Sequence, residues 1–204
     1  MVVHVVASVA FALWTTYAYI LFSWIDYARH EATYHASKHL PRALRQTLWN
    51  TVVVVPLSTL ALLLLCPPGA LVNPLWTEAV HAAVQYVCAD VWMYSFHRLV
   101  HCRRFYWLHK QHHELRTPLG ALALYGHPLD AVYVNTGGVF VVHAVLRTSW
   151  VHLFLLFSGG LANTIFISHS GGVVHDAHHK KHNVNYGFDF FMDRLCGTHA
   201  RRTQ

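Results

Sequence analysis

Residues 3–25 read VHVVASVAFALWTTYAYILFSWI and contain no Lys, Arg, Asp or Glu. A helix that crosses a bilayer needs about 20 apolar residues, so this stretch predicts a membrane span. A second uncharged stretch runs from Leu48 to Cys66, and three shorter candidates follow at 79–96, 131–146 and 151–168. We therefore expect an all-α fold, an integral membrane helical bundle with four or five spans.

The composition also favours a membrane protein. Hydrophobic residues make up 54% of the 204 residues and charged residues only 12%, whereas a typical soluble domain has about 25% charged residues. No second soluble domain is visible, so we treat residues 1–204 as a single membrane domain. The net charge of +6 comes from basic residues beside the predicted spans, where they would meet anionic headgroups, and we expect no nucleic acid partner.

The basic residues predict the orientation. If all five stretches cross the membrane, 14 of the 15 Lys and Arg residues lie on one side, and Arg147 is the exception. The positive-inside rule places that side in the cytosol. A re-entrant hairpin made from the last two stretches would keep the same sidedness. Of the 19 histidines, 15 share the basic side, and the others are His4, His81, His143 and His152.

Three histidine clusters lie in the basic segments. Their members are spaced largely three or four residues apart, and such residues share one face of a helix. Imidazole suits iron, zinc, copper and nickel, and eight histidines exceed what one four-coordinate ion can use. The pattern predicts a cytosolic site for two metal ions, built from His97, His101, His109, His112, His113, His175, His178 and His179.

The same segments contain a series of longer motifs: HRLVH at 97–101, HKQHHE at 109–114, GHPLD at 126–130, HSG at 169–171, HDAHH at 175–179, NYG at 185–187 and DRLCGT at 193–198. In this order the motifs resemble the fatty acid hydroxylase and sterol desaturase superfamily. The resemblance covers roughly Asp90 to Thr198, and we expect residues 90–198 to form the catalytic region.

The resemblance implies a non-haem di-iron oxygenase of the endoplasmic reticulum that hydroxylates or desaturates a lipid with dioxygen. It also implies a cytochrome b type electron donor with its reductase, and two iron ions that zinc can replace in purified protein. The iron ligands and catalytic residues that it implies are His97, His101, His109, His112, His113, His169, His175, His178 and His179.

A second tier of residues could support the ligands. Metal-bound histidines usually donate their other ring N–H to a carboxylate or a carbonyl. Asp176 is the favoured carboxylate because it lies inside a ligand motif, and His127 is interpreted equally well as a residue at a helix entrance. The complete second tier is His127, Asp176, His182 and Glu114, with Asp189 and Asp193 as further carboxylates.

Within the superfamily, residues 97–130 most resemble methylsterol monooxygenases, which makes a sterol the first candidate substrate. The GGVVH sequence at 171–175 is instead similar to cholesterol side-chain hydroxylases, so a fatty acid or sterol side-chain hydroxylase is the alternative. The chain departs from the family pattern at one point. Only Gly171 to Val174 separate the HSG and HDAHH motifs, where relatives have a longer connection.

Two hypotheses of another class remain open. A histidine-rich metal transporter would need ligands near the middle of the bilayer, where only His81 and His143 are available. An inactive paralogue would keep the fold and bind lipid without turnover. The metal content and oxygen consumption of the purified protein would distinguish these hypotheses from an oxygenase.

Overall fold

The computed structural model describes residues 2–35, 40–170, 173–188 and 191–200. These residues form helices, turns and loops with no strand among them, which confirms the all-α prediction. Gly171, Gly172 and Asp189, which the sequence analysis singled out, lie outside the described residues. The helices are α1 (Val2–His35), α2 (Leu40–Leu65), α3 (Leu75–Val100), α4 (Tyr106–His109), α5 (Gly137–Leu146), α6 (Trp150–His169), α7 (Val173–Lys181) and α8 (Met192–Leu195).

The five predicted apolar stretches coincide with helical segments, except that Cys66, the last residue of the second stretch, follows the end of α2. Helices α1, α2 and α6 are long and apolar enough to cross a membrane, with mean hydropathies of 1.8, 2.1 and 1.6. The segment Pro128–Val134 and α5 together make a fourth candidate, bent by 49°. Helix α3 has 26 residues but also carries Glu78, Asp90 and Arg98, and it is not among these candidates. The described residues thus contain three or four candidate spans.

The outer faces of the long helices are apolar and exposed. Leu13 in α1, Leu57 and Leu65 in α2 and Leu155 in α6 each expose more than 60% of their surface. Such a continuous apolar surface is expected for helices that meet lipid. Between the helices, side chains pack in a buried cluster of Phe11, Leu63, Phe140, Leu153 and Phe157.

Three helical segments contain a π-helical stretch, at Asn50–Val54, Ala131–Thr136 and Asn163–His169. In a π-helical turn each N–H bonds five residues back, so one more residue fits into the turn than in an α-helix. At the end of α6, the N–H of Ser170 donates to the carbonyl of Ile165 at 3.0 Å. This wider turn sets the direction of His169, the last residue of α6.

A buried loop connects the histidine region to α1 and α2. Asn50 in α2 donates from Nδ2 to the carbonyls of Leu124 at 2.8 Å and Gly126 at 3.0 Å. Asp26 in α1 accepts the N–H of Ala121 at 3.0 Å. Both side chains are buried, so each loses its hydration for these bonds. The first two helices therefore hold the backbone of the loop that follows the second histidine motif.

Candidate metal centre

The structure brings all nine candidate ligands together in two adjoining groups. Within each group, one side-chain nitrogen of every histidine lies within 4.8 Å of the others. Eight of the nine side chains come from the three predicted clusters, and His169 is added by the end of α6. The five-histidine group contains His97, His101, His109, His113 and His178, and the four-histidine group contains His112, His169, His175 and His179.

The spacing within the motifs sorts the histidines between the groups. Residues at i and i+4 enter the same group, as His97 and His101 do at the end of α3. Helix α7 supplies His175 and His179 to one group and His178 to the other. An α-helix has 3.6 residues per turn, so the adjacent residues His178 and His179 point in directions about 100° apart. One short helix can thus serve both groups.

The Nε2 atoms within each group lie close together. Two ligand nitrogens about 2.1 Å from a shared ion would be about 3.0 Å apart at a right angle, so this spacing suits a five- or six-coordinate metal. The Nε2 separations are 3.0 Å for His97–His109, 3.1 Å for His101–His178, His101–His113, His112–His179 and His175–His179, and 3.2 Å for His113–His178.

Backbone carbonyls fix the protonation of these rings. A carbonyl oxygen only accepts hydrogen bonds, so the Nδ1 atom that faces it carries the proton and Nε2 keeps a lone pair. Two such Nε2 atoms have no proton to share, and a cation between them would relieve their repulsion. The Nδ1–carbonyl pairs are His97–Tyr186 and His178–Val184 at 2.7 Å, His179–Leu115 at 2.8 Å, His169–Thr164 at 2.9 Å and His112–Tyr125 at 3.1 Å.

Burial favours the neutral form of several of these histidines. It lowers the pKa of His112 to about 4 and that of His178 to about 3, and the neighbouring histidines contribute to both shifts. Burial likewise lowers the pKa of His97 well below its ordinary value. Metal ions bind the neutral form of imidazole, so at neutral pH no proton has to leave before a metal enters.

Among the described residues, Asp130 is a carboxylate that contacts a candidate ligand. Its Oδ1 and Oδ2 atoms lie 2.9 and 3.0 Å from Nδ1 of His109, and both side chains are 3% exposed. A carboxylate at this position orients the ring and raises the basicity of its other nitrogen. Sequence reasoning quoted Asp130 within the GHPLD motif without giving it this role. The sequence shows only that Asp130 lies three residues after a histidine in this motif. That pattern does not identify His109 as its hydrogen-bond partner.

The residues of the second tier have other partners. Asp176 pairs with Lys180 at 2.6 Å, and Glu114 accepts from the hydroxyl of Tyr125 at 2.5 Å. His127 caps a helix by accepting the N–H of Leu129 at 3.2 Å. The ring of His182 lies 4.4 Å from that of His113, while its Nε2 is 2.9 Å from the carbonyl of His179. Among the described residues, none of these side chains joins either histidine group.

The NYG motif holds the carbonyl that faces His97. Asp193 accepts the N–H of Tyr186 at 2.9 Å and that of Gly187 at 2.6 Å. A Cβ atom on Gly187 would lie 2.6 Å from Oδ1 of Asp90, so this close approach requires glycine. Asp193, one of the two further carboxylates predicted from the sequence, therefore acts on His97 through the backbone of Tyr186.

An apolar cavity of about 680 Å³ adjoins the histidines. Its walls come mainly from α1, α2, α3 and α6, and include Val55, Ala82 and Leu156. Thr164 and Phe188 line both this cavity and a smaller space bounded by histidines of both groups. A long apolar molecule in the cavity would thus have one end beside the candidate metal centre.

Comparisons with known proteins identify a family and several relatives. The family model "Fatty acid hydroxylase" matches residues 82–198. Methylsterol monooxygenase 1 of Rattus norvegicus is 34% identical over 128 residues, which cover 55% of this chain and 44% of the relative. Very-long-chain aldehyde decarbonylase GL1-9 of Oryza sativa subsp. indica is 28% identical over 184 residues, which cover 78% of this chain and 70% of the relative.

Sphinganine C4-monooxygenase 1 of Arabidopsis thaliana is 32% identical over 135 residues, which cover 55% of this chain and 51% of the relative. The chain spans less than half the length of the methylsterol monooxygenases that it matches, from 44% to 45%. No solved structure matches the chain.

Proposed function

Because the chain belongs to the fatty acid hydroxylase family, we propose that it is a membrane-bound, non-haem di-iron oxygenase that hydroxylates or desaturates a lipid with dioxygen. The observation that carries the proposal is the pair of adjoining histidine groups, with five and four members. Two groups of neutral imidazoles, each with facing Nε2 atoms, suit two cations better than one. The same nine histidines are those that the sequence resemblance implies.

In this proposal each histidine group holds one iron ion. The bound metal would supply activation of dioxygen and attack on an unactivated C–H bond, which protein side chains alone cannot perform. The protein contributes orientation. Backbone carbonyls hold the Nδ1 protons, Asp130 supports His109, and the buried surroundings limit access of water.

The apolar cavity is the proposed substrate site. A volume of about 680 Å³ lies within the range of about 300 to 1,000 Å³ that ligand pockets occupy. The similarity to methylsterol monooxygenases supports a sterol as the first candidate substrate. A fatty acid or sterol side-chain hydroxylase is the alternative. Relatives named for sphinganine and for very-long-chain aldehydes support linear lipids as further candidate substrates.

The remaining parts of the proposal concern the setting of the enzyme. Residues 90–198 would be the catalytic region of a single membrane domain. The concentration of Lys and Arg beside the histidine motifs supports a cytosolic metal centre in the endoplasmic reticulum membrane. A cytochrome b type donor with its reductase would deliver electrons at that face.

A transporter has less support. His143, one of two histidines available to a pathway through the bilayer, has its Nδ1 atom 2.8 Å from Oγ1 of Thr148 and its Nε2 atom 2.8 Å from the carbonyl of Cys66. Both nitrogens of His143 are engaged in holding helix ends together. This leaves His81 as the one remaining candidate of the two, and a single histidine does not form a chain of ion sites across a bilayer.

The test is metal analysis combined with lipid profiling. We expect two irons per chain in protein purified under conditions that do not remove bound iron. We also expect new oxidised lipids, detected by mass spectrometry, in an aerobic host that expresses the chain. A variable zinc load with an unchanged lipid profile would favour the transporter. Protein poor in metal, with no oxygen uptake, would favour an inactive paralogue.

A further inference from the structure

The apolar cavity ends in a polar cluster at the end of the helices opposite the metal centre. Glu78 lies in the first turn of α3, and His152 lies in the first turn of α6. Both residues line the cavity. Glu78 precedes His97 by 19 residues of the same helix, which corresponds to about 28 Å at 1.5 Å per residue.

The contacts of the cluster leave several buried polar atoms without a hydrogen-bond partner among the described residues, including Oε2 of Glu78 and Nδ1 of the neighbouring His81, whose ring centroid lies 5.9 Å from that of His152. Oε1 of Glu78 accepts hydrogen bonds from the hydroxyl of Ser149 and from the N–H of Asn73. Its Oε2 atom lies 3.3 Å from Nδ1 of His152. His152 is 7% exposed, and its Nε2 atom is buried with no hydrogen-bond partner among the described residues.

The surroundings of His152 select the chemistry of a ligand. The carboxylate beside Nδ1 favours the tautomer with the proton on Nδ1, so Nε2 offers a lone pair. A group that satisfies this atom must donate a hydrogen. A carbonyl has no proton to donate, and a carboxylate would be repelled by Glu78. An ammonium would lose its hydration in an apolar cavity at high cost, whereas a hydroxyl loses much less.

We propose that His152, oriented by Glu78, determines substrate specificity by accepting a hydrogen bond from the hydroxyl group of a neutral lipid. The lipid lies along the cavity with its hydroxyl at His152 and its other end at Thr164 and Phe188. The inference rests on the proposed function for the position of the reacting carbon. In this orientation the oxidised carbon is remote from the hydroxyl group, because an adjacent carbon could not reach the histidines, so the inference favours the side-chain hydroxylase among the candidate functions over oxidation beside a hydroxyl group.

The first test measures binding to the full chain in nanodiscs. The probes are 1-eicosanol, eicosane and eicosanoic acid, which share one chain and differ at its end, together with cholesterol and cholestane. Retained lipid is quantified by mass spectrometry. We expect the alcohol to bind at least about tenfold more tightly than its hydrocarbon in one or both skeletons, which corresponds to about one buried hydrogen bond. Equal binding of alcohol and hydrocarbon in both skeletons would overturn the proposal.

The second test uses variants of the cluster. In His152→Leu the preference for the alcohol should fall to nearly none, while Leu156→Ala, a change to an apolar wall residue, should weaken alcohol and hydrocarbon alike. Retention of the full preference in His152→Leu would refute the role of His152. Glu78→Gln keeps an acceptor for Ser149 and Asn73 but removes the charge, so eicosanoic acid should gain affinity relative to the wild type. If His152→Leu does not fold, Glu78→Gln still tests whether the charge of Glu78 excludes a carboxylate from this site. Unchanged affinity for eicosanoic acid in Glu78→Gln would contradict the proposal.

Binding and turnover separate this inference from the proposed function. A preference for alcohols without any lipid oxidation would leave the role of His152 standing and refute the oxygenase. Oxidation at a carbon next to the hydroxyl group would support the oxygenase and refute the orientation. Product mapping by tandem mass spectrometry distinguishes these outcomes.

Discussion

The nine histidines of the candidate metal centre and His143, which lies at the other end of the helices, have different surroundings. At one end, nine rings direct nitrogens toward one another, and six of their Nδ1 atoms are tied to a carbonyl or to Asp130. At the other end, both nitrogens of His143 are bonded to protein groups. The residue type is the same at both ends. The partner of the second nitrogen decides whether a buried histidine can serve a metal or serves only the fold.

The largest expected effect comes from removing a ring that lies between the facing nitrogens. His178→Ala deletes a nitrogen that lies 3.1 Å from His101 and 3.2 Å from His113. We expect turnover to fall by more than about 100-fold, beyond the loss typical for an outer partner of a metal ligand. Lipid profiling and iron analysis measure it, while membrane insertion should be unchanged.

The control for this prediction is His4→Ala, which changes an exposed histidine near the start of α1. It should leave both iron content and product unchanged. Wild-type levels of product from His178→Ala would remove the di-iron assignment.

The next effect tests which carboxylate supports the centre. Asp130→Asn replaces the acceptor of the Nδ1 proton of His109 with a weaker one, and we expect metal affinity to fall by about 10- to 100-fold. Titration of apo protein with Fe²⁺ under anaerobic conditions measures it. Asp176→Asn is the matched control, because Asp176 pairs with Lys180 and should have little influence. The reverse ranking of the two variants would show that Asp176 is the supporting acid.

A smaller effect is expected where the backbone supports the centre. Gly187→Ala places a Cβ atom 2.6 Å from Oδ1 of Asp90 and should cost about 1 to 3 kcal/mol of stability. Thermal unfolding in detergent measures the loss. Gly159→Ala, where no atom lies within 4 Å of the added carbon, should be neutral or stabilising. Equal melting temperatures for the two variants would contradict the close packing at Gly187.

The smallest effect on the metal should come from the other end of the helices. His143→Leu leaves Thr148 and the carbonyl of Cys66 without partners and should cost about 1 to 3 kcal/mol of stability. Its iron content per folded chain should equal that of the wild type. A clear drop in bound iron would mean that the two ends are coupled more strongly than their separate contacts indicate.

Local sequence patterns located the long helices and eight of the nine histidines that the structure brings together, whereas His169 entered through the family resemblance. Hydropathy and i, i+4 spacing are local properties, so they located the apolar stretches and the histidine faces. The sequence did not identify Asp130 as the partner of His109. That contact depends on the loop between the two residues, which is held by Asp26 and Asn50, two residues far away in the sequence. Proximity in sequence favoured Asp176, yet the neighbouring turn offers it Lys180. The π-helical stretches also escaped prediction, since they leave no clear compositional mark.

The π-helical stretch at Asn163–His169 separates two geometric requirements on α6. The residues of α6 that precede this stretch must face the cavity to form its wall. His169, at the end of the stretch, must instead point at the four-histidine group. Removing one residue from an α-helix rotates everything after it by about 100°. Deleting Ile167 would therefore turn the imidazole of His169 away from the other histidines of its group and leave the cavity wall unchanged. One residue thus sets the angle around the helix axis between His169 and the residues that line the cavity.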